Sequence, residues 1–273
     1  MSLIQKYGKS YYLASLFFPA KIKQAVFVLY DFVRIPDNVV DDPSLSLEQK
    51  KAQLISMQAE RQKAYNDQDI TNSKRWRFVS LFLSYTIPID YSQAFYEAML
   101  MDTQVFRYVS YTQLQSYMYG SAEVVGLMMC CILWHESEAL PFARKLGEAM
   151  QVSNFLRDVY EDCVDLGRIY MPLERLQEYG LSHEDVVSFC TSKTFDDRWV
   201  GFMKNMIWHN RSLYHESYQG IQHLHNGQKA VYLAGKLYES ILDNIKKNNY
   251  DVFRLSARTS TWQKYKVVLA NMR

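Results

Sequence analysis

Over residues 21–33 apolar side chains fall at positions 22, 25, 26, 29, 32 and 33, the i, i+3, i+4, i+7 stripe of a helix with one buried face. Stripes of the same period run over 47–65, 91–101, 111–134, 141–164, 195–218 and 229–247. The alternation expected of strands is almost absent. The breaks between stripes carry turn chemistry: Asp42-Pro43-Ser44, residues 66–73, Ile87-Pro88, Gly167, Met171-Pro172 and Tyr179-Gly180. Neither a repeat nor a shift of composition divides the chain. The pattern predicts one all-α domain over residues 1–273, built from nine to twelve helices.

Composition agrees with that reading and narrows the function. Ten Gly and six Pro make about 6 % of the chain against roughly 12 % on average, too few for a turn-rich β fold or a flexible linker. Hydrophobic residues at 48 % with 22 % charged describe a globular core. A net charge of +2, with no stripe of Lys or Arg, argues against nucleic acid as a partner. Cys130, Cys131, Cys163 and Cys190 form no CxxC pair and have no His at zinc-finger spacing, so free thiols in a reducing cytosol are expected. His223 and His225, two apart, read as surface residues near a turn. The N-terminus has neither a basic leader nor a small-residue cleavage site, and no signal peptide is expected. The longest apolar run, from Val124 to Trp134, falls short of the ~20 residues a bilayer requires. A cytoplasmic location is expected, with a peripheral membrane contact and either a monomer or a homodimer left open. One surplus stands out: 21 Tyr, 14 Phe and 5 Trp.

Candidate chemistry comes from acids placed where a packed helix would hold none. Asp37 and Asp41 are one turn apart on one helical face, with Arg34 a turn before and Tyr30 on the same stripe. In the second segment Gln151, Asn154, Asp158 and Asp162 fall within about 80° of one another at roughly 100° per residue. Tyr30, Asp37 and Asp41 repeat the intervals of seven and eleven that separate Gln151, Asp158 and Asp162. One DxxxD alone would read as a solvated face. Here both copies are flanked by apolar residues (Phe32, Val33, Ile35, Val39 and Val40; Met150, Val152, Phe155, Leu156 and Val159), so both helices read as core-embedded. Like charges buried one turn apart are unfavourable unless a cation neutralises them. Mg²⁺ favours a few carboxylates completed by water and phosphate oxygens, so the pattern points to a diphosphate held through metal.

With these motifs in view, the chain resembles the squalene/phytoene synthases, the head-to-head prenyl transferases, most closely the bacterial and archaeal phytoene synthases. The likeness is carried by SYYLASLFFPAKIKQAVFVLYDFVRIPDNVVDD, YMYGSAEVVGLMM, LGEAMQVSNFLRDVYEDCVDLGRIYMP and GIQHLHNGQKAVYLAGKLYESILDNIKKNNYDVF, and spans about residues 9–260. It implies an all-α isoprenoid synthase fold, a helical bundle around a central cavity, with a Mg²⁺ cluster (Mn²⁺ as the alternative) and two prenyl diphosphates at the mouth. Asp37 and Asp41 then match the first metal motif, and Asp158 and Asp162 the second, with Asn154 as a further metal ligand. Lys9, Ser10, Arg34, Gln151, Asn154, Arg157, Arg168 and Tyr170 match substrate-binding positions, and Tyr30, Tyr117 and Tyr238 match aromatic positions near the reacting carbons.

The implied reaction joins two geranylgeranyl diphosphates through a cyclopropylcarbinyl diphosphate to phytoene, releasing diphosphate. A C30 synthase using farnesyl diphosphate is the alternative, and a non-catalytic isoprenoid-binding relative the more remote one. No GxG spacing suggests a nicotinamide site, so NADPH is not expected. Small residues Ala14 and Ser15, set between aromatic pairs, lean towards a tunnel roomy enough for C20 substrates. Three positions depart from the family pattern. Glu123 stands in an apolar run, to pair with a base or to enter the cavity. Pro36 should kink or restart its helix. Arg254 and Arg258 flank the place of a family Arg, and the choice between them is open.

Overall fold

The computed structural model describes residues 2–68 and 76–271. Among these residues fifteen α-helices follow in order: α1 (Leu3–Tyr7), α2 (Lys9–Ser15), α3 (Ala20–Asp41), α4 (Leu47–Asn66), α5 (Trp76–Ser84), α6 (Ile89–Met101), α7 (Tyr111–Met118), α8 (Val124–Leu133), α9 (Ala139–Arg157), α10 (Val159–Val164), α11 (Leu173–Gln177), α12 (His183–Ser192), α13 (Asp197–Tyr218), α14 (Gln228–Lys247) and α15 (Thr261–Ala270). Extended pairing among the described residues is limited to two isolated bridges, Arg107 to Ile169 and His135 to Leu224.

The helix count exceeds the expected nine to twelve for two reasons. Segments such as α1, α2 and α11 run for two turns or less, too short to display a periodic stripe. The stripe over 141–164 is also two helices, divided at Asp158, whose φ and ψ of −100° and 18° leave the helical region. Of the two outcomes expected at Pro36, a kink or a restart, the restart does not occur. α3 neither stops nor restarts there but continues for 22 residues with the proline ring buried. Of the predicted break at 66–73, residues 69–73 lie outside the described residues, and α4 ends at Asn66 as expected.

The long helices pack around α9, which contacts α8, α13 and α14 along its length. Two glycines let α9 approach α8 and the turn just before it almost backbone to backbone. A Cβ on Gly126 would lie 2.5 Å from the carbonyl oxygen of Ala143, and one on Gly147 would lie 2.6 Å from that of Ala122. A π-helical turn, Tyr119–Glu123, joins α7 to α8, making Tyr111–Leu133 one helical segment of 23 residues. By length and apolar character it could cross a membrane, which corrects the expectation from the shorter run, but most of it is buried inside the bundle.

Much of the aromatic surplus is core. Phe32 meets Phe78, Phe82, Phe95 and Tyr96 with ring centroids 5.2–6.3 Å apart. Trp199 does the same with Phe189, Phe202 and Phe253. All four cysteines are free, Cys130 and Cys190 fully buried. His223 takes the expected surface role, with Nδ1 2.8 Å from the Glu136 carboxylate.

The α8–α9 contact sets a test of the packing. Gly126→Ala places a methyl against a main-chain carbonyl that cannot retreat without moving a helix. We expect destabilisation of about 1–3 kcal/mol, read as a lower urea midpoint with an unchanged slope.

Candidate active site

Four helical segments turn one stripe each towards a common cavity of about 940 Å³. α3 contributes Val26, Leu29, Tyr30, Val33, Arg34, Asp37 and Asp41, and α9 contributes Phe142, Leu146, Met150, Gln151, Asn154 and Arg157. The α7–α8 segment adds Tyr117, Ser121, Val125, Met129 and Leu133, and α14 adds Val231, Ala234, Tyr238 and Ile241. Every stripe follows helical spacing, and the loops that carry Arg168, Tyr170 and Arg258 complete the wall. Along both α3 and α9 the lining changes from apolar to charged towards the C-terminal end. The volume stands at the upper end of the ~300–1,000 Å³ typical of ligand pockets.

All fifteen residues proposed for the site line this cavity: Lys9, Ser10, Tyr30, Arg34, Asp37, Asp41, Tyr117, Gln151, Asn154, Arg157, Asp158, Asp162, Arg168, Tyr170 and Tyr238. The acids meet from two sides. Arg34 forms an ion pair with Asp37, and Arg157 pairs with Asp158 through Nε at 2.6 Å. The break at Asp158 leaves the main-chain ladder intact, since the Asp162 amide donates to the Asp158 carbonyl at 2.8 Å. Asp162 therefore still faces the cavity on a redirected short helix. Asp37 keeps 35 % of its side-chain surface accessible, although it sits deep in the cleft, because that surface faces the cavity.

Between the acid pairs lies a buried network that the sequence reading missed in part. Asp102, where α6 ends, accepts hydrogen bonds from the Tyr117 hydroxyl at 2.7 Å and the Tyr170 hydroxyl at 2.8 Å. Arg168, only 4 % exposed, reaches to 3.7 Å from Asp41 and faces the same Asp102. Tyr117 and Tyr170 thus hold their hydroxyls on Asp102 and line the cavity, with Tyr170 stacked between Phe155 at 4.2 Å and Tyr117 and Tyr108 at 5.6–5.8 Å. Tyr11, also unforeseen, packs on Tyr238 at 4.9 Å and on Tyr30 at 6.2 Å, and Arg34 stacks over Tyr7 at 4.8 Å. Neither Asp102 nor Tyr11 announces itself locally. A lone acid at a helix end and one tyrosine among many acquire meaning only from their neighbours.

Three positions left open by the sequence are settled by their contacts. Glu123 is buried and takes a hydrogen bond from Arg144 Nε at 2.6 Å, so it pairs with a base outside the cavity lining. Arg258 lines the cavity, 3.7 Å from Glu161, whereas Arg254 turns to Asp251 at 2.6 Å. Ala14 lines the cavity, but Ser15 does not. Its hydroxyl donates to the Tyr12 carbonyl at 2.7 Å, which removes half of the small-residue argument for tunnel width.

Burial governs the electrostatics. It pushes the Asp37 carboxyl up to about 7, Asp41 adding to the effect and Arg34 opposing it. Asp162 is raised well above the usual carboxylate range by burial, then by Asp158, with Asp41 and Asp102 adding. The two motifs therefore share one field. Among the described residues no three acids, His or Cys converge as a ready-made metal cage. The donors at the mouth are instead four carboxylates and the Asn154 amide, hard oxygen ligands of the kind Mg²⁺ takes a few at a time. Nε of Arg34 and Nε of Arg168 are buried with no protein partner. Anionic oxygens would satisfy both, so the residues fit a metal–diphosphate group.

The cavity has an acidic, arginine-lined mouth and a largely apolar interior, and helices supply most of its wall. The family model described as Squalene/phytoene synthase matches residues 4–265, and the chain belongs to that family. It is a prenyltransferase. The chain is 31 % identical to the 15-cis-phytoene synthase of Synechococcus elongatus, over 95 % of this chain and 86 % of that one. It is 28 % identical to the phytoene synthase of Thermus thermophilus, over 97 % and 88 %. A dehydrosqualene synthase structure aligns with a TM-score of 0.84 at 26 % identity, covering 99 % of this chain and 93 % of the other. A squalene synthase from Alicyclobacillus acidocaldarius shares the fold, with a TM-score of 0.81 at 21 % identity over 91 % and 92 %.

The raised acid generates a pH prediction. Folded Asp37 keeps its proton up to about 7, against 3.8 for an ordinary Asp. Between those values the folded state binds more protons than the unfolded, so this group's contribution to stability falls as pH rises from about 4 to about 7. Asp37→Asn should then raise the metal-free Tm at pH 8 by roughly 2–4 °C and change it little at pH 4.5. Differential scanning fluorimetry in chelator-treated buffer measures both.

Proposed function

We propose that the protein condenses two molecules of geranylgeranyl diphosphate head to head into phytoene, through a cyclopropylcarbinyl diphosphate and with release of diphosphate. The observation that carries this reading is the continuity of the cavity, in which an acidic, arginine-lined mouth and apolar side chains of α3, α8, α9 and α14 line one volume of about 940 Å³. The relatives named phytoene synthase support the C20 substrate. The likeness to a dehydrosqualene synthase supports a second reading, a C30 product from farnesyl diphosphate.

In this proposal Mg²⁺, with Mn²⁺ as a substitute, is held by Asp37 and Asp41 on one side and Asn154, Asp158 and Asp162 on the other. When bound, it supplies positive charge to the diphosphate oxygens. The protein's own groups do the rest. Arg34, Arg168 and Lys9 bring further positive charge to the departing diphosphate, which carries most of the charge that develops on ionisation. Tyr11, Tyr30, Tyr117, Phe155 and Tyr238 offer ring faces to an allylic cation, each worth about 0.5–2 kcal/mol. The apolar wall excludes water that would trap the cation as an alcohol. No reductant enters this scheme, and NADPH has no role in it.

The proposed location is the cytoplasm, with a peripheral contact to an anionic lipid surface. α15 exposes Trp262, Tyr265 and Leu269 on one side, while Val268 packs inward and Lys264 lines the cavity. Trp and Tyr beside Lys on a short amphipathic helix suit a lipid interface, and an apolar product leaving there would enter lipid directly.

Two experiments test these readings. Purified protein with Mg²⁺ and geranylgeranyl diphosphate, without NADPH, should yield a C40 hydrocarbon by mass spectrometry, and Asp158→Ala should lower turnover by at least about 10²-fold. A C30 product from farnesyl diphosphate alone would select the second reading. For the lipid contact, the double variant Trp262→Ser, Leu269→Ser should sediment less with phosphatidylglycerol vesicles while keeping its activity in detergent.

A further inference from the structure

α3 carries the first acid pair across a defect. Pro36 has no N–H, so the Phe32 carbonyl one turn earlier lacks its helical donor. Arg61 on α4 fills that place, its Nη1 donating to the Phe32 carbonyl at 3.1 Å. The helix then ends at Asp41, and the Val40 carbonyl is among its last four, which have no donor within the helix. Lys50, also on α4 and only 7 % exposed, donates to it from Nζ at 2.7 Å. Lys50 and Arg61 are eleven residues apart, about 20° around a helix, so one face of α4 sends both cations to α3.

The Arg61 guanidinium is held over the rings of Phe32 at 4.5 Å and Tyr96 at 5.3 Å, which lock its direction. Asp37 and Asp41 lie on the stretch of backbone that begins just after the Phe32 tie and ends just after the Val40 tie. Their mutual repulsion acts on the part of α3 that its own ladder holds least well.

We propose that Arg61 is a positioning residue: by replacing the hydrogen bond that Pro36 removes, it holds the turn that aims Asp37 and Asp41 at a metal–diphosphate group. The function of that aim rests on the reading in the preceding section. Arg61 lines no part of the cavity, so it acts on the site indirectly, through the Phe32 carbonyl it ties and the rings of Phe32, Phe78 and Tyr96 it lies over.

The mechanism makes Arg61 dispensable wherever residue 36 can donate. Arg61→Met, Pro36→Ala and the double variant form a cycle with two readouts, amide hydrogen exchange in peptides covering residues 33–44 and binding of Mn²⁺ with inorganic diphosphate by calorimetry. Arg61→Met should speed exchange in that segment and weaken Mn²⁺–diphosphate binding by roughly 10–100-fold. In the Pro36→Ala background, where the restored amide can reach the Phe32 carbonyl, the same substitution should change both readouts by less than about 3-fold. Arg61→Lys, which keeps a donor, should fall between. Equal losses in both backgrounds, or an unchanged exchange rate over 33–44, would overturn the proposal. Should Arg61→Met fail to fold, a folded double variant supports the proposal and an equally unfolded one opposes it. Wild-type protein that binds no Mn²⁺ with diphosphate would sink the functional reading instead, with exchange still deciding whether Arg61 holds α3.

Discussion

Repulsion among carboxylates drawn into a low-dielectric cleft is the constraint on which this structure turns. Asp37, Asp41, Asp158 and Asp162 converge with Asp102 at one end of the bundle, and burial raises several of them. Such a cluster opposes folding, so the surroundings are arranged to limit it. Arg34 and Arg157 each take one acid, Arg168 stands between the pairs, and two tyrosine hydroxyls are committed to Asp102. The remaining imbalance is what a cationic metal and its diphosphate partner would relieve. Stability and function therefore oppose each other at the mouth.

The rigidity needed to hold that arrangement comes from the helices that carry it. α3 and α9 each run from an apolar wall to a charged end, so one rigid element aligns the tunnel with the mouth. Gly126 and Gly147 let α9 approach α8 and the π-helical turn before it closely, which fixes another wall of the cavity. α4 lines no part of the cavity, yet it completes the hydrogen bonding of α3 where a proline and a helix end interrupt it. The defect at Pro36 is thus repaired from outside by a cation anchored on aromatic rings, and the helix end is capped by a second, buried cation about three turns away on α4.

The sequence was legible where the physics is local. Helical stripes located the long elements, and intervals of seven and eleven put Tyr30, Asp37 and Asp41 on one face as they did Gln151, Asp158 and Asp162. Local reading failed where a contact decides the outcome. Pro36 left a restart of its helix open, but the helix continues and Arg61, 25 positions later, supplies the lost partner. The stripe through Asp158 suggested one helix where there are two, because spacing is nearly unchanged by a break that keeps its hydrogen bond. Ser15 looked like a tunnel wall, yet its hydroxyl is turned to its own backbone.

By itself the sequence determined the fold class, the polar face of each of the two Asp-bearing helices, and the family, because periodicity and motif spacing are properties of neighbouring residues. Tertiary structure alone decided that Asp102 joins Tyr117 and Tyr170, that Arg168 is buried between two acid pairs, and that Arg258 rather than Arg254 reaches the cavity. Those facts depend on which long helices lie side by side. Burial, which sets both the field at the carboxylates and the need for each partner, exists only after the bundle has closed.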